Sequence, residues 1–574
     1  MGQRGDCRSG AKWFQDLVIT EHGNHVRVLW NDDGQYSAPQ NITTGDMHGL
    51  SVADYDNDGR MDLIMAQGGG DGKNPRRPLH FQINKDRTFD QGQSLNYFQP
   101  GRGRAIKFID PDEDGNLDLL LTGFPLKSQP EGANHLYRNA GSGRFDFVGN
   151  LPQAQWLGYR TLLTDFNNDF DSDILFFGGK DIAVLKGQDG LAYQEVSQQI
   201  LGALANTSDV SSMSEIDFDN DGDFDLFLTR SEAQFDIESY YDPAHQRFAF
   251  LTFRKDFLFE DLKISGDLRI ENLQQTYPNF DVFVGADKRK LTLEGDRHGG
   301  KNMTINKDQA KGCPTGETKG GLYIGYLGND MWRIGGQSHS RLAGVIDNVV
   351  STPSIEPQRD LPALLLENRD GVFVDVTHEL GLHMDQQTTS AAVGDFNNDG
   401  WADLAVLKYG DMAAKTKQIV YLNQQGKGFL PVARHGILSE DLGTTGGSIE
   451  AFDYDLDGVL DLVYSDERGK WHLMRNNTVN TEHSHFNIVK VGRSPTGKAS
   501  PQGAVMTVQA CTHLYKRRIG SSSAAFSQSM NTNLHLGLGT CEKIDTATVR
   551  WSNGEVEKLA PPQVDTITNA GLRP

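Results

Sequence analysis

The 574 residues carry a net charge of −22 and 37% hydrophobic side chains. That is enough apolar material for a lean core, but the acidity disfavours nucleic acid and anionic membrane as partners, since both need a positive face. No run approaches the roughly 20 consecutive apolar residues of a membrane-spanning helix. Glycine, at 63 residues, exceeds the usual level of roughly 7% and predicts many turns and little helix.

The N-terminal segment has no charged stretch followed by an apolar one, so the sequence reads either as cytosolic or as given without its signal. Arg4-Gly5-Asp6 is an integrin-type tripeptide in a degenerate segment and reads as chance. Asp16-Leu17-Val18 matches the end of a repeat that recurs along the chain.

Six segments define that repeat: DYDNDGRMD from Asp54, DPDEDGNLD from Asp110, DFNNDFDSD from Asp165, DFDNDGDFD from Asp217, DFNNDGWAD from Asp395 and DYDLDGVLD from Asp453. Each is followed by a short apolar run such as LIMA or LFLT. Their first residues step by 56, 55, 52, 178 and 58, so one repeat holds an insertion of about 120 residues. Hairpins with Gly-containing turns sit between them, as in HLYRNAGSGRFDFV and IVYLNQQGKGFLPV. With the truncated opening copy, this makes seven units of four short strands. One unit cannot bury both faces of its sheet, whereas radially packed units can, which predicts an all-β, seven-bladed β-propeller.

The acidic segments suit a hard cation. Oxygens at positions one, three and five converge, and the carbonyl of position seven and the carboxylate of position nine complete an oxygen-only set for Ca²⁺. The expected ligands are Asp54, Asp56, Asp58, Arg60 and Asp62; Asp110, Asp112, Asp114, Asn116 and Asp118; and Asp165, Asn167, Asp169, Asp171 and Asp173. In the second half they are Asp217, Asp219, Asp221, Asp223 and Asp225; Asp395, Asn397, Asp399, Trp401 and Asp403; and Asp453, Asp455, Asp457, Val459 and Asp461. Up to six Ca²⁺ are expected. Gly at position six permits a positive φ, and Phe170 stands there in the third loop, which makes that site the weakest. The loops hold 25 Asp and Glu, more than the whole net charge. No Cys or His recurs in them, which disfavours zinc there.

The insertion, 234–358, contains strand-like runs such as FAFLTF and GLYIGYLG and reads as a β-sandwich. It joins the second and third strands of its blade, so it should leave from the end opposite the acidic loop. Tyr323, Tyr326 and Trp332 read more simply as strand and core residues than as a carbohydrate platform. His378-Glu379 with His383 is one residue too long for a zinc helix. Cys511 and Cys541 suit a disulfide in an oxidising compartment or two buried thiols equally. Sequons at Asn41, Asn206 and Asn302 matter only in a eukaryotic secretory protein. The sequence shows no nucleophile elbow or P-loop, and no catalytic set emerges.

The loops with their following strands resemble FG-GAP/VCBS repeats, the calcium-binding blades of integrin α-type propellers. The C-terminal GAVMTVQA…SSSAAFSQSMNTNLHLGLG…IDTATVRWSNGEVEKL resembles the ASPIC/UnbV domain. Repeats followed by that domain are similar to the cartilage acidic protein family. The expected organisation is propeller over 1–233 and 359–480, inserted sandwich over 234–358 and a small β domain over 481–574. The resemblance implies a secreted, periplasmic or cell-surface calcium-binding protein. On that reading it is a non-enzymatic recognition or adhesion module whose partner is an extracellular protein or glycan. A calcium-dependent polysaccharide lyase or hydrolase is the alternative.

Overall fold

The computed structural model describes residues 14–572 apart from 127–133, 142, 153–157, 233–235, 276–280, 292, 294–299, 315–319, 479–483 and 521–522. Arg4-Gly5-Asp6 and Cys7 lie outside the described residues. The chain is all-β, with one short helix, Ser197–Leu201, among the described residues.

The repeats form seven antiparallel sheets in chain order. Their second strands are Leu17–Thr20, Met61–Gln67, Asp118–Gly123, Asp173–Phe177, Asp225–Arg230, Asp403–Lys408 and Asp461–Asp466. Most of these are buried on both faces, which is why they read as continuous apolar runs rather than as an alternation. The middle five sheets have four strands; the first and seventh have three. The innermost strands carry small or polar residues inward and pair across to one another: Ser51 Oγ donates to Ile106 O, Lys107 Nζ to Thr161 O and Ser214 Oγ to Ala391 O.

A side-chain clasp locks each sheet. The carboxylate at position nine of the repeat opens the second strand and is buried: Asp118, Asp173 and Asp403 are fully enclosed. Its Oδ1 accepts from a backbone N–H at the end of the third strand, supplied by Asn139, Gly187, Asn368, Asn423 and Asn476. Asp16 does the same with Asn31, so the truncated first copy keeps the clasp. In the second sheet His80 takes this place, 2.8 Å from Asp62 Oδ1. Oδ2 accepts from the N–H of position two in Tyr55, Phe166, Phe218, Phe396 and Tyr454. The second loop has Pro111 there, which has no N–H, and Asp118 Oδ2 is left buried without a partner.

Where the partner is an asparagine, it also ties its sheet to a neighbour. Nδ2 of Asn139, Asn368, Asn423 and Asn476 donates to the position-two carbonyl of the preceding sheet, at 2.7–2.9 Å. Asn31 Nδ2 reaches Tyr454 O at 2.9 Å, which joins the first sheet to the seventh.

Between Asp225–Arg230 and Leu364–Arg369, the second and third strands of the fifth sheet, the insertion forms a five-stranded and a six-stranded sheet. These share one apolar core containing Phe248, Phe259, Trp332 and Leu342. The insertion leaves from the Arg230 end, opposite the acidic loop at Asp225, as the repeat order requires. It rests beside the sixth and seventh sheets through Tyr409 Oη to Glu238, Asn272 Nδ2 to Leu442 O and Arg341 with Glu467. Trp332 is core, while Tyr323 stacks on Phe283. The C-terminal segment folds as a three-stranded and a four-stranded sheet, and Cys511 is bonded to Cys541.

Asn423 tests the clasp. Replacing it with Ala strips partners from the Phe218 and Ala402 carbonyls and from the Gly426 N–H. Each buried unsatisfied group costs about 1–3 kcal/mol, so Asn423→Ala should lower the unfolding free energy by about 3 kcal/mol or more in urea titrations. Exposed Asn477→Ala should change it little.

Candidate functional site

Each acidic loop is built by its own side chains. Position six needs a positive φ, which Gly59, Gly115, Gly222, Gly400 and Gly458 supply at 85–95°. Phe170 holds the same region at φ 72°, with its ring under the Arg550 guanidinium at 4.3 Å. Position four is also left-handed, at Asn57, Glu113, Asn168, Asn220, Asn398 and Leu456. The Asn/Asp enrichment of that backbone region was the available signal for it. The N–H of position seven bonds the position-five carboxylate in all six loops, from Arg60 on Asp58 to Val459 on Asp457.

Three carboxylates converge in four loops: Asp54, Asp56 and Asp58; Asp110, Asp112 and Asp114; Asp217, Asp219 and Asp221; and Asp453, Asp455 and Asp461, with ligand oxygens within 4.8 Å of one another. Several of these oxygens are buried without a hydrogen-bond partner: Asp54 Oδ1, Asp110 Oδ1, Asp112 Oδ1, both oxygens of Asp217, Asp219 Oδ1 and Asp455 Oδ1. A buried, unpartnered carboxylate oxygen is costly, and a divalent cation at the point of convergence removes that cost. The residues fit Ca²⁺, which when bound would supply the missing positive charge. In the third and fifth loops position three is Asn, and its amide donates to position five: Asn167 to Asp169 and Asn397 to Asp399. Lys186 also sits 2.9 Å from Asp169. The third loop thus closes on its own side chains. The rims of other loops carry arginines, with Arg138 on Asp112 and Arg475 on Asp455 and Asp457.

The C-terminal sheets cover these loops. Arg493 Nη1 is 3.4 Å from Asp54 Oδ2, Ser552 Oγ donates to Asp110 Oδ2 at 2.6 Å and Lys516 bonds Asn168. Leu514 abuts Gly222, where an added Cβ would be 2.7 Å away. Gly539 N donates to Asn398 O, and His535 Nε2 lies 3.0 Å from Gly458 O. All six loops therefore meet the C-terminal sheets, a contact that the sequence periodicity does not encode.

A strand-free stretch of the same segment packs against the inner strands. Ile106 N donates to Phe526 O, Thr161 N to Ala525 O and Gln528 N to Leu50 O. The Gln528 amide pairs with both N and O of Phe108, and Ser523 Oγ reaches Ile449 O. Beyond this plug lies a cavity of about 1560 Å³. Its wall carries Phe124 and Tyr159, 4.5 Å apart, with Arg102 and Arg104 over Phe124 and Arg160 over Tyr159. These arginines fall just before or at the start of inner strands, and no repeat marks them, so sequence reading missed them.

Comparison with known proteins agrees with the repeat reading. The FG-GAP-like repeat family model matches residues 14–65 and 346–406, and the ASPIC and UnbV model matches 495–570. The chain thus carries FG-GAP-like repeats followed by an ASPIC and UnbV domain. No curated protein matches. Similar solved structures include the Vibrio cholerae biofilm matrix protein Bap1, at 11% identity and TM-score 0.32 over 80% of this chain and 83% of that one. An Agrocybe aegerita lectin described as recognising non-reducing terminal N-acetylglucosamine matches at 13% and 0.28, over 82% and 98%. An exo-beta-1,3-galactanase from Phanerochaete chrysosporium matches at 9% and 0.25, over 96% and 99%. At these scores the likenesses carry no argument. Among the described residues no helix is long and apolar enough to cross a membrane.

Burial raises the loop carboxyls, with neighbouring carboxylates adding to it: Asp225 to about 9, Asp118 and Asp173 to about 8, and Asp110, Asp217 and Asp453 to about 7. Without metal, the folded chain keeps protons that the unfolded chain releases near pH 4. Their stabilising contribution is full below that pH and is lost as pH rises through about 7–9. In chelator, the melting temperature should therefore fall between pH 5.5 and 8.5. A flat or rising profile by calorimetry would contradict this electrostatic picture.

Proposed function

We propose that the protein is a calcium-binding extracytoplasmic recognition protein. In this reading the seven sheets are the blades of a closed propeller, the insertion is a β-sandwich, and Ca²⁺ in the acidic loops seats the C-terminal domain. The observation that carries it is the set of converging, buried and unpartnered carboxylate oxygens beneath that domain. The contact from Asn31 to Tyr454 supports closure of the ring. The disulfide supports an oxidising compartment.

Because the acidic loops are covered by the chain itself, partners meet the opposite side, where the cavity opens beside the inserted sheets. Arginines stacked on aromatic rings there suit an anionic protein or glycan surface. One observation favours an enzymatic alternative, a calcium-dependent polysaccharide lyase or hydrolase: Glu215 and Glu450 also line that cavity. Turnover on a polysaccharide panel would replace the recognition reading.

Calcium titration by calorimetry tests the metal. Four loops offer three converging carboxylates, so at least four sites are expected. Asp219→Ala should remove one, and Asp169→Ala, in the loop closed by Asn167 and Lys186, none. Each occupied site adds RT ln(1 + [L]/Kd), about 2.7 kcal/mol at a hundredfold excess, so EDTA should lower the melting temperature strongly. No calcium heat and an unchanged melting curve would reduce the loops to turns.

A further inference from the structure

A second group of ligating side chains lies away from every acidic loop. His22 stands on the turn after Leu17–Thr20, Asp46 immediately precedes the inner strand Met47–Ala53, and His48 is its second residue. Asp46 and His48 are two residues apart, so an extended backbone points them the same way. His22 Nε2 is 3.2 Å and His48 Nε2 3.1 Å from one atom, Asp46 Oδ1. All three ligand atoms lie within 4.8 Å of one another. The two rings are 4.5 Å apart, tilted by 35°.

We propose that His22, Asp46 and His48 bind a divalent transition-metal ion of the zinc type, with its open coordination positions facing the cavity. Three observations carry this. Tetrahedral zinc–ligand bonds of about 2.0–2.1 Å give ligand-to-ligand edges of about 3.3–3.4 Å, and the separations from Asp46 Oδ1, 3.1 and 3.2 Å, are within about 0.3 Å of these. Only one of the two imidazoles uses Asp46 as a hydrogen-bond partner: His22 does, whereas the buried His48 Nε2, 3.1 Å from the same oxygen, makes no hydrogen bond. The carboxylate is also held in place. It packs on the backbone of Gly68, where an added Cβ would lie 2.1 Å from Asp46 Oδ2, and Gly68 N donates to Asp46 O at 2.8 Å.

The chemistry separates this site from the loops. Two imidazoles and one carboxylate suit zinc and its neighbours, whereas Ca²⁺ takes oxygen donors. Three protein ligands leave positions open, and all three residues line the cavity. Arg104, also on that wall, would face an exogenous ligand, which selects an anionic oxygen donor such as a carboxylate or phosphate.

The test uses the full chain, stripped of metal and then saturated with Ca²⁺, so that its outcome does not depend on the acidic loops. Titration with ZnCl₂ should show one equivalent bound, and CoCl₂ should give visible absorption bands from nitrogen ligation. His22→Ala, Asp46→Asn and His48→Ala should each weaken Zn²⁺ binding at least about a hundredfold, since loss of a mere supporting partner already costs 10–100-fold. The His22 side chain is 59% exposed, so its replacement should leave the calcium-dependent melting curve unchanged and serves as the folded control. Absence of Zn²⁺ binding in the wild type, or equal stoichiometry and affinity in His22→Ala, would overturn the proposal.

Discussion

The buried aspartate at position nine of each repeat is the constraint on which the fold depends. Its two oxygens hold two backbone segments, the start of its own loop and the end of the third strand. The asparagine it fixes then reaches the preceding sheet. A carboxylate enclosed in apolar surroundings is expensive unless its lone pairs are used. The repeat uses them to set strand register, loop shape and the spacing between sheets together. Seven such aspartates hold the seven sheets, and in five of them an asparagine links the sheet to a neighbour, Asn31 joining the first sheet to the seventh, so that sheets too small to stand alone support one another.

The same geometry places every acidic loop on one side. The second strand always begins at the clasp, so the loops share a face and the links between second and third strands share the other. Concentrated carboxylates on one face need a counter-charge, and the chain supplies part of it. Arg493 and Lys516 reach two of the loops directly, and Arg517 lies near Asp217 and Asp395. What remains is buried, unpartnered oxygen, and there Ca²⁺ fits. Covering of the loops by the C-terminal sheets turns the charge problem into an internal interface, and the proposed recognition role then falls to the opposite side, where the insertion sits.

The repeat was legible because the clasp and the left-handed turn of each acidic loop need fixed residue types at fixed spacing, and because a strand buried on both faces must be apolar throughout. The insertion was legible as a break in that spacing. Position nine fits the ligand pattern, and in the structure its oxygens form the clasp; among the described residues Asp461, in the sixth loop, also joins the converging oxygens. The asparagine tie escaped because it recurs at the end of a strand whose hairpin turn varies in composition. The plug and the docked C-terminal sheets depend on contacts more than 300 residues apart, which no local pattern records. His22, Asp46 and His48 escaped for the same reason: His22 is separated from the other two by a hairpin, and the three meet only when the first and second sheets pack.

Crystallographic location of calcium by anomalous scattering, on the full chain grown in Ca²⁺, addresses the central claim most directly. The account predicts peaks between positions one, three and five of the loops at Asp54, Asp110 and Asp217 and between Asp453, Asp455 and Asp461, beneath an ordered C-terminal domain, and none in the loop at Asp165. Absence of those peaks, with Arg138, Arg475 and Arg493 drawn into the loops to neutralise the carboxylates, would contradict it.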